Sequence, residues 1–227
     1  MSEIKKYAVI VAGGSGQRMG TQVPKQFLLL RGKPVLWYAV DAFLQAYEDL
    51  EVILVLPEEH IETGKRIVYS TEAPHRIRIV AGGSTRFHSV QNGLSQIREE
   101  SVVFVHDGVR CMLTRELIHR CYERAVESGS AIPVIDSRDS VRLVTAKGNE
   151  AIDRSTVKLI QTPQTFLSSL LLPAFQVEYQ ERFTDEATVV EAAGHSITLV
   201  EGESNNIKVT TPIDLVVAEQ LLQKEPS

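Results

Sequence analysis

Residues 11–27 read VAGGSGQRMGTQVPKQF. Gly13, Gly14 and Gly16 occupy three of four successive positions, and Arg18 and Lys25 follow closely. Glycine costs backbone entropy and supplies no packing, so such a cluster signals close approach of the main chain to something. Bare N–H groups in a glycine loop suit phosphate oxygens, and the two cations suit an anion. Neither standard phosphate motif is present. No G-x-x-x-x-G-K-[ST] run occurs, Met19 stands where a dinucleotide fingerprint needs its third glycine, and Pro24 interrupts a helix leaving the loop. A long irregular loop bearing Arg and Lys instead suits a triphosphate, with cations placed where charge builds up during transfer.

The neighbouring segments say what must hold this loop. Short apolar, β-branched runs at 7–12, 51–57, 76–82, 101–107, 130–135, 196–202 and 207–210 read as strands. Helical patterns lie between them at 34–46, 58–69, 84–97, 114–127, 184–193 and 211–223. Pro34 and Pro212 suit first-turn positions, and Thr114, Thr184 and Thr211 suit N-caps. Strands apolar along their whole length are buried on both faces. Alternated with helices, they predict an α/β fold with a doubly wound, mostly parallel sheet. In such a sheet ligands bind beyond the carboxyl ends of strands, and Ala12 to Gly20 is such an end. One region breaks the alternation. Residues 139–166 read as two strands around an Ala146-Lys147-Gly148-Asn149 turn, with no helix between them. Such an inserted hairpin is an edge ribbon, a cover for the site, or a reach to a partner subunit.

Composition narrows the function classes. The 227 residues, 43% hydrophobic and 23% charged, fit one large domain over 1–227, and no linker-like run divides them. A net charge of −5 argues against bulk binding to nucleic acid or an anionic membrane, so any cationic site is local. Cys111 and Cys121 have no metal-ligand spacing, which predicts a reduced, cytoplasmic protein. The N-terminal apolar run is too short for a signal peptide, and no stretch approaches the roughly 20 residues needed to span a bilayer.

The loop resembles the signature of nucleotidyltransferases that make cytidine-diphosphate alcohols. Further blocks follow in order: GGSTRFHSV (82–90), HDGVR (106–110), DSVR (139–142), DRS (153–155), QTPQTF (161–166), TDEA (184–187) and EGESNNIKVTTPIDL (201–215). Together they are similar to the cytidylyltransferase family of the non-mevalonate isoprenoid pathway, from Tyr7 to Leu222. The resemblance implies a Rossmann-like nucleotidyltransferase fold with an inserted β-hairpin arm at about 137–160. It implies that CTP and 2-C-methyl-D-erythritol 4-phosphate give CDP-methylerythritol and pyrophosphate with Mg²⁺, in a homodimer whose arms reach the neighbouring sites. By the same resemblance Arg18, Lys25 and Lys208 are the catalytic cations at the α-phosphorus. Ala12, Gly13, Gly14 and Gly16 belong to the nucleotide loop, and Gly82, Gly83 and Ser89 to the segment that reads cytosine. Asp107, Arg110 and Thr162 match acceptor contacts, and Ser140 and Arg154 match contacts made across the dimer. Asp107 suits a substrate hydroxyl better than the metal, because triphosphate oxygens supply most Mg²⁺ ligands.

Three neighbouring residues have plainer readings. His106 reads as a hydrogen-bonded strand-end histidine, and Asp185 and Glu186 as first-turn acids of a helix. Two departures from the family pattern stand out. Cys111 replaces a proline and is expected to loosen its turn, and Ser140 replaces a threonine but keeps the hydroxyl. A ribitol 5-phosphate cytidylyltransferase shares the glycine loop, PKQF and QTPQ, whereas Arg154 in its Asp-Arg-Ser context favours the isoprenoid family. A non-catalytic nucleotide-binding subunit would be expected to have lost Arg18, Lys25 or Lys208, and all three are present. With Ser227 shortly after the last helical pattern, no second catalytic domain is expected.

Overall fold

The computed structural model describes residues 4–14 and 23–224. Along the chain run β1 (Lys5–Val11), the small pair β2 (Leu29–Leu30) and β3 (Lys33–Pro34), α1 (Val35–Ala46), β4 (Leu50–Leu56), α2 (Ile61–Tyr69), β5 (Ile77–Ala81) and α3 (Arg86–Leu94). There follow β6 (Ser101–Asp107), α4 (Arg115–Ser128), β7 (Ser130–Asp136), β8 (Val141–Thr145), β9 (Gly148–Ile152), β10 (Lys158–Ile160) and β11 (Gln164–Leu167). The chain closes with α5 (Ser168–Ala174), α6 (Glu186–Ala192), β12 (Leu199–Glu201) and α7 (Pro212–Lys224).

The main sheet has the order β10-β7-β11-β6-β1-β4-β5, with β12 added to β7. β6, β1, β4 and β5 are mutually parallel, whereas β11 runs antiparallel to both β6 and β7. Strand β1 shows why the sheet is covered on both sides. Ala8 and Ile10 point into a core shared with α1, α2 and α4, while Tyr7, Val9 and Val11 point into a second core shared with α3, α5 and α6. A period of two on a wholly apolar strand therefore feeds two helical layers. This is the predicted doubly wound, mostly parallel α/β architecture.

Several expected boundaries move. Residues 207–210 form no strand. Val209 is buried and makes a single ladder-like bond, its N–H to the Val109 carbonyl (2.9 Å). The helix expected from Thr184 starts at Glu186, where Asp185 and Thr188 form a capping box. Segment 139–166 holds one hairpin and two further strands: β8 and β9 pair with each other, and the chain then returns through β10 and β11 into the main sheet. Burial separates the two parts, since Thr165 and Phe166 are fully buried while most of β8 and β9 is exposed. The hairpin turn is tighter than expected. Thr145 pairs with Gly148, which takes φ 130°, leaving Ala146 and Lys147 as the loop. Helix α5, with Pro173 inside it, escaped the sequence reading.

At the N-terminal end of the central strands, the Lys6 side chain is 1% exposed and bonds Asp49 (2.8 Å). Its ammonium also lies 5.0 and 5.3 Å from the ring centres of Tyr47 and Tyr122. No helix among the described residues is long and apolar enough to cross a membrane.

Candidate active site

Val11 and Asp107 are register partners at the carboxyl ends of β1 and β6, and the Gly108 N–H binds the Val11 carbonyl (2.9 Å). From β1 the sheet grows one way through β4 and β5, and β6 lies on the other side. The order therefore reverses between β1 and β6, which opens a crevice there. A cavity of about 330 Å³ occupies it, floored by Ala12, Gly13 and Gly14 and walled by Lys25, Gly83 and Ser89. A second cavity of about 200 Å³ adjoins it, lined by Arg110, Gln161, Thr162 and Gln164. Arg86, Asp107 and Lys208 line both and form the shared wall.

At the edge of the first cavity, Gly82 and Gly83 are required by contact. The Gly82 N–H binds the Leu56 carbonyl (2.8 Å) and the Gly83 N–H binds Ser89 Oγ (3.1 Å). A Cβ on Gly82 would sit 2.9 Å from Ser89 Oγ, and one on Gly83 2.4 Å from the Cβ of His88. Backbone is thus brought to the cavity edge with nothing projecting from it. Helix α3 begins just beyond, capped by Thr85, whose hydroxyl accepts the His88 N–H. Lys25 opens a 3₁₀ turn after Pro24 and is largely buried. A Cβ on Gly14 would already approach its Cε at 3.9 Å. Gln26 ties this turn to the glycine loop by donating from Nε2 to the Ala12 carbonyl (2.9 Å). The sequence reading gave Gln26 no role.

The shared wall is an ion cluster. Asp107 Oδ1 faces Arg86 Nε (3.3 Å), and Oδ2 faces Lys208 Nζ (2.9 Å) and Arg110 Nε (3.7 Å). Burial alone would raise the Asp107 carboxyl, but Arg86, Lys208 and Arg110 outweigh it and hold the group below the usual carboxylate range. Arg110 is anchored from its NH1 to the Asn206 carbonyl (2.8 Å). Arg86 also forks onto Glu186, at 2.5 and 3.1 Å. Burial works against the Arg86 charge, yet Glu186 and Asp107 lift the group above its ordinary value.

His106 belongs to the scaffold, as its sequence position suggested. The ring is fully buried, and burial lowers its pKa to about 4. Nε2 lies 3.2 Å from the Arg110 carbonyl and Nδ1 lies 3.1 Å from Thr162 Oγ1. Thr162 Oγ1 accepts the Asp107 N–H (3.1 Å), so its own hydrogen points to Nδ1 and the proton of the neutral ring sits on Nε2. Both ring nitrogens are occupied. Cys111 is buried in a cluster with Leu30, Val35 and Met112. Burial pushes its thiol up to about 11.

Of the expected site residues, the fold brings Ala12, Gly13, Gly14, Lys25, Gly83, Ser89, Asp107, Arg110, Thr162 and Lys208 to the two cavities, with Gly82 just behind. Ser140 and Arg154 are exposed and line neither cavity. Arg154 instead donates to the Arg138 carbonyl (3.1 Å). Gly16 and Arg18 lie outside the described residues. Arg86 and Glu186 were missed as partners, although both stand inside quoted blocks, GGSTRFHSV and TDEA. Asp185 caps its helix as expected, whereas Glu186 turns away to Arg86. Among the described residues no group of three or more His, Cys, Asp or Glu side chains has metal-ligand geometry. Both Asp107 oxygens already face cations. The donor set therefore fits a divalent ion carried mainly by a polyanionic ligand, with Asp107 as the carboxylate at hand.

A family model for 2-C-methyl-D-erythritol 4-phosphate cytidylyltransferase matches residues 7–224. A protein of that name from Phocaeicola vulgatus is 47% identical over 219 residues, covering 96% of this chain and 100% of the relative. A 4-diphosphocytidyl-2C-methyl-D-erythritol synthase from Anaerococcus prevotii superposes with a TM-score of 0.84 at 28% identity, covering 97% and 99% of the two chains. The 2-C-methyl-D-erythritol 4-phosphate cytidylyltransferase of Thermus thermophilus gives 0.75 at 31% identity, over 97% and 100%.

Proposed function

The chain belongs to the 2-C-methyl-D-erythritol 4-phosphate cytidylyltransferase family, and from that premise we propose how its residues divide the work. The enzyme condenses CTP with 2-C-methyl-D-erythritol 4-phosphate, giving CDP-methylerythritol and pyrophosphate. The observation that carries the division of roles is the Arg86–Asp107–Lys208 wall between two adjoining cavities. CTP takes the larger one. The backbone at Gly82 and Gly83, braced by Ser89, reads the cytosine edge, while Ala12, Gly13 and Gly14 face ribose and phosphates, with Gly16 taken as a further nucleotide-binding residue of the same loop. The acceptor takes the smaller one, with Asp107 on a hydroxyl and Arg110 near the phosphate.

An oxygen of the acceptor phosphate attacks the α-phosphorus in line. One P–O bond forms there as the bond to the bridging oxygen breaks, and pyrophosphate leaves. The attacking phosphate is largely ionised at neutral pH, its second pKa being about 6, so no general base is needed. The barrier is the crowding of negative charge, and Lys25, Lys208 and Arg18 meet it. A divalent ion such as Mg²⁺ would be held mainly by triphosphate oxygens, with Asp107 available as a carboxylate, and would supply further neutralisation of the phosphate charge.

We take residues 1–227 as one domain acting in the cytoplasm as a homodimer. An isolated two-stranded ribbon is marginal in water, and the apolar Leu143 and Val144 on β8 are exposed. A partner subunit accounts for both, and it carries Ser140 and Arg154 to the neighbouring acceptor cavity.

Pyrophosphate release with CTP and Mg²⁺ tests the acceptor, offered as methylerythritol 4-phosphate or ribitol 5-phosphate. Release with the first alone is expected, and release with ribitol 5-phosphate alone would move the enzyme to the other pathway. Mixing inactive Lys25→Ala and Arg154→Ala protomers tests the arm. Sites shared across a two-fold axis recover about a quarter of wild-type activity, and no recovery would refute the exchange.

A further inference from the structure

Glu186 has no helix-capping duty to explain its burial. The Asp185 carboxylate accepts the Thr188 N–H (2.9 Å), and Gln164 Oε1 accepts the Ala187 N–H (2.8 Å) while its amide donates to Asp185 (2.9 Å). The first turn of α6 is thus served by others. Glu186 is nevertheless 1% exposed, a costly place for a carboxylate unless a cation meets it. The cation is Arg86, which stands 100 positions earlier in the chain, at the start of α3.

The guanidinium is held at two edges. Its NH1 and NH2 fork onto the two Glu186 oxygens, and its Nε edge faces Asp107 Oδ1. A planar group gripped at both edges has little freedom to turn. Released from Glu186, the fork would be free to close on Asp107 with both arms and compete with Lys208 for Oδ2. It would also be free to swing into the nucleotide cavity, which Arg86 lines.

We propose that Glu186 is a positioning residue of the transfer site: it fixes Arg86 edge-on to Asp107, keeps Oδ2 of Asp107 for Lys208, and touches neither substrate. This rests on the roles assigned above to Asp107 and Lys208.

The test uses the full-length enzyme with Glu186→Gln, Arg86→Lys and the double variant. Thermal unfolding is measured alongside turnover, and the Arg86 Nη–H resonances are identified by their absence from Arg86→Lys. In wild type the two-point grip of Glu186 stops rotation of the fork and keeps the Nη–H resonances separate, and in Glu186→Gln they merge. Turnover of Glu186→Gln falls about tenfold, as a small displacement of a reacting group would produce, while the KM for CTP moves less than about threefold. Arg86→Lys removes the same fork, so the double variant is little worse than the worse single variant. Should Glu186→Gln fold poorly, Glu186→Asp keeps the charge on a shorter arm and gives an intermediate loss. Nη–H resonances that stay separate in Glu186→Gln overturn the proposal. So does a turnover loss that only follows the folded fraction, or losses that multiply in the double variant. A wild-type enzyme silent with methylerythritol phosphate would sink the transfer reading, and the Nη–H resonances would still decide whether Glu186 holds Arg86.

Discussion

The two ends of β1 and β6 both bury charge, and they do it differently. At the N-terminal end, Lys6 is set against Asp49 and the faces of two tyrosines. At the C-terminal end, Arg86, Arg110 and Lys208 crowd around Asp107, Glu186 is the second carboxylate, and Lys25 stands across the cavity. The first arrangement is balanced within the fold. In the second, the paired cluster of Arg86, Arg110 and Lys208 outnumbers Asp107 and Glu186 beside an open cavity, a surplus that suits a polyanionic ligand. A buried charge matched by its neighbours reads as structure, and a surplus beside a cavity reads as a site.

The largest effect that would sharpen this contrast is on the chemical step. Lys25→Ala should lower turnover by on the order of 10²–10³-fold, with a much smaller rise in the KM for CTP. Equal losses in both would mean that Lys25 merely anchors the nucleotide. Asp107→Asn should come next. Removing the carboxylate takes the counter-charge from Lys208 and Arg110, leaves Arg86 with Glu186 alone, and costs about 2–3 kcal/mol of stability. CTP should recover much of that loss, so the ligand-induced rise in Tm is larger in the variant than in wild type. A rise no larger than wild type would show that the triphosphate does not complete the cluster.

Acid should separate the scaffold from the charges. The His106 pKa is lowered to about 4 by burial, whereas an unfolded histidine titrates near 6.5. The unfolded chain therefore takes up a proton that the fold refuses, and stability falls as pH drops from about 6.5 to about 4, by roughly 3 kcal/mol. Asp107, whose folded pKa is depressed, adds its own loss only below about pH 4, as it protonates. Urea unfolding of His106→Gln should be flatter between pH 6.5 and 4.5, and an unchanged slope would refute the assignment. The smallest effect is expected at the opposite end of the strands. Lys6→Met keeps the packing and leaves the partly exposed Asp49 to water, costing about 1–2 kcal/mol, with turnover per folded molecule unchanged. A fall in turnover would break the division between the two ends.

Much of this was legible in the residues. The period of two along Tyr7–Val11, apolar on both faces, predicted a sheet covered on both sides. The glycines, Lys25 and the HDGVR block marked the carboxyl ends of the strands that frame the crevice. Local spacing also identified the Thr114 cap, whose hydroxyl accepts the Leu117 N–H. The β-like alternation of the Lys208 segment predicts a strand, yet in the fold no ladder forms: Val209 makes one backbone bond to Val109, Lys208 pairs with Asp107, and Thr210 donates to Asp214. The QTPQTF segment was read as half of a hairpin because a β-branched run does not announce its partner. Only the burial of Thr165 and Phe166 places it between β6 and β7.

The chain by itself determined which residue types line the crevice, because period, glycine spacing and turn chemistry act over a few residues and leave a local trace. What tertiary structure alone decided is how those residues share charge. Arg86 meets Glu186 across 100 positions and Asp107 across 21, and Lys208 reaches Asp107 from the far end of the chain. No periodicity records such a pairing. An ion pair depends on distance in space and on loss of water, and both are set only once the sheet and its two helical layers have closed.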